Sequence, residues 1–277
     1  MPSAATLRLQ IESSLERRYP AALTPAPRTI RETAATGIAE VDRLLDGGLP
    51  VGTISEITGP VSSGRTSLAL AFLAGRTAEE RVCAWVDAHD AFDAESAAAS
   101  GVVLRRLLWV RLKSGQANRT AASHSGGKSA VLPFARPDFA FLDQVLRSTD
   151  LLLQAGGFSA LVLDLGSTTP EQGCRIPLAT WFRFRQAADR TRCSLLVLAQ
   201  QPLAQSSAAV VLTCTRRQAQ SAGQTVLTGC TYEVSTGRQR FATSAGRLAI
   251  AGQCKPPAST WTAGVASPAT RQEEATA

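Results

Sequence analysis

The chain has 277 residues, 44% of them hydrophobic, with 29 Lys and Arg against 22 Asp and Glu for a formal charge of +7. That length and apolar content allow one principal core with small appendages. No basic segment precedes an apolar run at the N-terminus and no run of about eighteen apolar residues occurs, which argues against secretion or a membrane span and makes a cytoplasmic protein the expectation.

The positive charge comes from arginine far more than lysine. It suits contact with phosphates or an acidic protein surface, and equally a plain solvated basic surface. The six cysteines (Cys83, Cys174, Cys193, Cys214, Cys230, Cys254) form no C-x-x-C pair, and most fall in or beside apolar strand-like runs. They are expected as reduced thiols rather than zinc ligands or disulfides.

In chain order, residues 1–19 carry Leu7, Ile11 and Leu15 at four-residue spacing after Ser3, the pattern of a short amphipathic helix that docks on something or reaches a neighbouring subunit. Residues 20–35 contain prolines and read as a linker. The core is expected over 36–252. It opens with a helix at Ile38 to Leu45 and the turn Gly47-Gly48-Leu49-Pro50, then a strand at Thr53 to Thr58 and a helix from Arg65 to Gly75.

Apolar strand-like runs follow at Arg81 to Asp87, Leu107 to Leu112, Ala160 to Asp164 and Ser194 to Gln200. Helical patterns at Ala91 to Ser100, Phe139 to Gln154 and Pro177 to Thr191 separate them. Strands alternating with helices imply an α/β fold with a mainly parallel central sheet. Beyond Ala208 the helical periodicity stops. The runs Ala208 to Thr215, Val226 to Val234 and Arg238 to Ile250, with a turn at Ser235-Thr236-Gly237, predict a C-terminal antiparallel extension of that sheet. Residues 114–130 read as a flexible insertion and 253–277 as a disordered tail.

Between the strand at Thr53 to Thr58 and its helix lies Gly59-Pro60-Val61-Ser62-Ser63-Gly64-Arg65-Thr66-Ser67. It fits the phosphate-binding loop G-x-x-x-x-G-K-[ST] except that Arg65 stands at the lysine position. Glycines let successive amides turn toward phosphate oxygens, and the helix N-terminus adds its dipole. ATP with Mg²⁺ is the implied ligand pair, Thr66 presenting its hydroxyl to the metal and Asp164 its carboxylate to a metal-bound water. Asp164 also reads as an ordinary turn or cap residue. A planar guanidinium cannot take the place of a compact ammonium in the same geometry, so binding is expected to outlast hydrolysis.

From Thr36 to about Ala251 the ordered motifs resemble the RecA recombinase family. The residues that carry this are Thr36-Gly37, Asp42, Gly47-Gly48-Leu49-Pro50, Gly52, Glu56-Ile57 and the loop from Gly59. The resemblance implies a RecA-like P-loop core, a catalytic position at His89, an adenine contact at Asp93 and a γ-phosphate sensor at Gln200. His89 stands where that family has a glutamate, so together with Arg65 it implies weak or absent ATPase activity. Both loops that bind single-stranded DNA in the family look shortened, which argues against strand exchange.

Among RecA-like proteins the chain looks most similar to the ImuA-type accessory proteins of bacterial translesion synthesis. This implies a damage-inducible adaptor acting through a polymerase-like partner of the ImuB type, and RecA itself as a further partner. Arg183, Arg185, Arg190 and Arg192 lie near Trp181, Phe182 and Phe184 on one helix; they read as a weak DNA contact or as the solvent face of a core helix. Arg238 and Arg240 match an area that reaches a neighbour's ATP in RecA filaments, or are an ordinary charged turn. The alternative function is a DNA-dependent ATPase or RecA-type recombinase on single-stranded DNA.

Overall fold

The computed structural model describes residues 31–112, 137–222, 226–240 and 258–264. The expected N-terminal helix, the 114–130 insertion and Cys254 lie outside them. Thr33–Ala34 (β1) pairs antiparallel with Leu49–Pro50 (β2), so the end of the expected linker already belongs to the folded unit, which begins at Arg31. Between these strands lies the helix Ala39–Leu44 (α1). Its start is fixed by Thr36, whose amide and hydroxyl both donate to Asp42 Oδ1, at 2.6 and 2.7 Å. Gly48 adopts φ +118°, and a Cβ there would stand 2.2 Å from the Ala34 carbonyl oxygen. The Gly-Gly turn is thus demanded by a close backbone approach.

The remaining elements alternate as predicted, apart from one short unforeseen helix at Pro170–Gly173 (α5): Ile54–Thr58 (β3), Arg65–Ala78 (α2), Cys83–Asp87 (β4), Ala94–Ala99 (α3), Leu107–Arg111 (β5), Pro137–Ala155 (α4), Ala160–Asp164 (β6), then after α5 Leu178–Thr191 (α6) and Ser194–Ala199 (β7). Three strands close the chain: Ala208–Ala222 (β8), Val226–Gln239 (β9) and Ala258–Gly264 (β10). The large sheet has the order β10-β9-β8-β3-β7-β6-β4-β5. β8, β3, β7, β6, β4 and β5 run parallel, and β9 and β10 add antiparallel.

Every residue of β3, β4, β6 and β7 is buried. That explains why these strands read as continuous apolar runs rather than alternating ones. On one face Leu68, Phe72 and Leu73 of α2 pack with Trp85 and Val162; on the other Val145 and Leu153 of α4 meet Trp181 and Phe184 of α6 and Leu161 and Leu163. Trp181 and Phe184 are fully buried and share an edge-on contact at 5.9 Å. Loss of such an aromatic side chain costs about 3–5 kcal/mol.

Two expectations about the C-terminal region change. Ser235-Thr236-Gly237 is no turn, because β9 runs through it. Opposite β8, Val211 pairs with Arg238 and Leu212 with Thr236, leaving Gly237 as the extra residue of a β-bulge, a role glycine fills as readily as a turn. The expected disordered tail contains β10, whose residues Ala258–Gly264 pair with Ser235–Gly229 of β9. Trp261 anchors it, buried against Tyr232 with ring centroids 5.2 Å apart.

Candidate functional site

The C-terminal ends of β3, β4, β6 and β7 open onto one edge of the sheet. Register brings Asp87 beside Asp164, Asp164 beside Leu198, and Thr58 beside Ala199. The glycine-rich loop leaves β3 at this edge, where ligands bind in open α/β sheets.

The loop is shaped by approaches that only glycine permits. A Cβ on Gly59 would stand 2.2 Å from the Cys214 carbonyl oxygen; on Gly64 (φ +92°) it would stand 2.7 Å from the ring of Tyr232. Ser62 at φ 59° completes the curl, and the Ser63 amide donates to the Pro60 carbonyl at 3.3 Å. Val61 and Ser62 face solvent. Helix α2 starts at Gly64 with no side-chain cap and no acidic residue in its first turn. The first intrahelical amide is that of Leu68, bonded to the Gly64 carbonyl, so the amides of Arg65, Thr66 and Ser67 have no intrahelical acceptor. These amides and the dipole favour an anion.

Arg65 turns inward and is only 8% exposed. Its Nη2 donates to the Gly166 carbonyl at 3.4 Å, while its Nη1 is buried without a partner, as is Ser63 Oγ. Burial pulls its pKa down, countered chiefly by Asp164. Asp164 is itself buried, with Oδ1 accepting the Gly166 amide at 2.9 Å. Burial raises its pKa, and Asp87 adds to the rise while the Gly166 amide and Arg65 oppose it. The Gln200 amide donates to the same Gly166 carbonyl at 3.3 Å. Arg65, Asp164 and Gln200 are therefore brought together around Gly166, and the orphaned buried donors fit a phosphate group. A divalent ion fits less well. Thr66 is exposed and free to offer its hydroxyl, but Asp164 already faces a guanidinium, which would oppose a cation in the same corner. Among the described residues no cluster of three or more His, Cys, Asp or Glu gathers as a metal site.

Other expected residues are placed differently. Asp93 caps α3, accepting from the amides of Glu95 and Ser96 at 3.3 and 2.9 Å. This is an ordinary N-cap arrangement. The His89 ring stands edge-on to Phe141 at 6.4 Å, and the packing around it pushes its pKa below the ordinary histidine value against the pull of Asp87. Asp90 points away, paired with Arg111 through both carboxylate oxygens. Arg238 and Arg240 donate to the carbonyls of Gln205 and Ser206 in the same chain. On α6, Trp181 and Phe184 are buried while Phe182, Arg183 and Arg185 face solvent.

Three residues support the site without having been expected in it, Glu56 among them although it belongs to the approach to the loop. Tyr232 lies against the loop from β9, and burial raises its pKa. Asp87 is fully buried, and its carboxylate accepts the amides of His89, Ala91 and Phe92 at 3.1, 3.0 and 2.9 Å, which sets the path of the segment carrying His89. Glu56, fully buried in β3, accepts the amides of Leu203 and Ala204 at 2.6 and 2.7 Å. It ties the segment after Gln200 to the strand that carries the loop.

A phosphate cradle at the end of a central strand, flanked by parallel strands and continued by an antiparallel edge, defines a P-loop protein with a RecA-like core. Residues 10–123 match the model of the RecA N-terminal domain. RecA of Nostoc sp. is 42% identical over 99 residues, covering 36% of this chain and 28% of that protein. RecA of Agrobacterium fabrum is 36% identical over 141 residues, covering 50% and 31%. The chain thus spans about a third of the length of these relatives. The crystal structure of the RadB recombinase shares the fold, with TM-score 0.51 and 17% identity, over 76% of this chain and 91% of that one. The chain therefore shares the RecA-like fold and is similar to RecA proteins over part of its length. No helix among the described residues is long and apolar enough to cross a membrane.

Proposed function

We propose that this protein is a non-recombinase, RecA-like accessory factor of bacterial DNA-damage tolerance. It binds ATP as a conformational ligand and acts through protein contacts, with a polymerase-like translesion subunit and RecA as its partners. The observation that carries this reading is the position of Arg65. The residue that should lie along the phosphates is buried beside Asp164 and held by Gly166, while the position of the water-activating glutamate carries His89. A cradle with these two replacements retains donors for phosphate and lacks a carboxylate base at the expected position.

ATP binding and turnover, measured with and without single-stranded DNA, test it. Binding without turnover is expected of the native protein, and hydrolysis is expected to appear in the Arg65→Lys, His89→Glu double variant. The alternative, a DNA-dependent ATPase, draws on Gln200, whose contact with Gly166 links the phosphate corner to the segment that follows β7. DNA-stimulated turnover by the native protein would establish that alternative and overturn the adaptor.

A further inference from the structure

The corner formed by Arg65, Asp164 and Gly166 poses an electrostatic question that the loop motif alone does not raise. Arginine at the first position of a helix is unfavourable, because its charge faces the positive end of the dipole. Here it is also buried and one of its terminal nitrogens has no acceptor. A buried guanidinium nitrogen without a partner is costly unless an anion supplies the missing acceptor. The uncapped amides of the first turn of α2 add to the same demand.

The position of the guanidinium decides what accompanies that anion. It lies within electrostatic reach of both Asp164 on β6 and Cys214 on β8, the strands flanking the β3–β7 pair. It therefore spans the edge from which the loop arises. A Cβ on Gly166 would approach both terminal nitrogens to 3.4 Å, so the group sits close against Gly166. The Cys214 thiol, pushed up to about 12 by burial, stays neutral and offers no competing anion. A divalent ion bridging Asp164 to a phosphate would have to enter beside a fixed positive charge, whereas the guanidinium can neutralise the phosphate from where it stands.

We infer that the cradle takes the phosphate chain of a nucleoside triphosphate without a divalent cation, the Arg65 guanidinium supplying the positive charge a metal would bring. This rests on the reading of the loop as a nucleotide site and specifies how that site works.

Calorimetric titration of ATP into the full chain, once with magnesium chloride and once with EDTA, tests it. The native affinity is expected to differ by less than about threefold between the two conditions. Thr66→Ala removes an exposed hydroxyl that a metal would use, and is expected to leave affinity in magnesium within about twofold. Arg65→Lys, confirmed as folded by thermal melting, is expected to become metal-dependent, losing about tenfold or more in EDTA. Native binding that falls about tenfold or more in EDTA overturns metal-free binding and leaves the nucleotide reading standing. A loss of about tenfold in Thr66→Ala with magnesium overturns it as well. An absence of ATP binding in both buffers overturns the inference and the nucleotide reading together.

Discussion

Arg65 and Gln200 donate to one acceptor, the carbonyl oxygen of Gly166, at 3.4 and 3.3 Å. One residue from the helix after the loop and one from the end of β7 are thereby joined through a backbone atom just past Asp164. A Cβ on Gly166 would lie 3.0 Å from Asp164 Oδ1 and 3.4 Å from the guanidinium nitrogens. Gly166→Ala is expected to displace Arg65 and lower stability by about 1–2 kcal/mol, read from denaturant midpoints. An unchanged midpoint would show that the arginine is free to move.

Gly64→Ala meets two obstacles, a left-handed backbone and the Tyr232 ring 2.7 Å from the new methyl carbon. The expected loss is about 2–3 kcal/mol, with ATP affinity reduced in parallel. Because the clash is with the Tyr232 ring, Gly64→Ala combined with Tyr232→Ala should cost less than the two single changes summed. A double-mutant cycle checks this.

Glu56 makes a pH prediction. Burial raises its pKa above 4.5, against the two amides it accepts and the charge of Arg238. The folded state therefore binds the proton more tightly than the unfolded one. Its contribution is fully present below the unfolded pKa and is lost as pH rises through the folded value. Stability of the native protein relative to Glu56→Gln should fall across that window, and a difference that stays flat would show that Glu56 is not shifted. Glu56→Ala leaves two buried amides unpaired and should cost about 2–4 kcal/mol.

Arg238 and Arg240 hold the Gln205 and Ser206 carbonyls of their own chain. Arg238→Ala is expected to lower stability by about 1 kcal/mol without changing the sedimentation coefficient. A change in oligomeric state with unaltered stability would assign Arg238 to an interface instead.

The parallel core was legible because β3, β4, β6 and β7 are buried on both faces and so announce themselves as apolar runs. The loop was legible because its glycines and following helix have a fixed order. What Arg65 does there was not, since an arginine reads the same whether it lies along a ligand or folds under the loop. Gly237 misled for a related reason: a Ser-Thr-Gly segment suits a turn and a bulge equally, and only pairing with Val211 and Leu212 separates them. Strand β10 was hidden by its Ala, Ser, Thr and Gly content, where one buried residue, Trp261, does most of the anchoring.

That anchoring bears on when the protein can fold as it is synthesised. The loop lies within the first quarter of the chain, yet Tyr232 packs against it from β9 and Trp261 of β10 packs against Tyr232. β3 itself pairs with β7 and β8, which emerge well over a hundred residues later. Such long-range closure is slow. A nascent chain halted before Trp261 should carry a loop with every motif residue in place and its backing incomplete, so competence to hold a ligand is expected to appear late in translation.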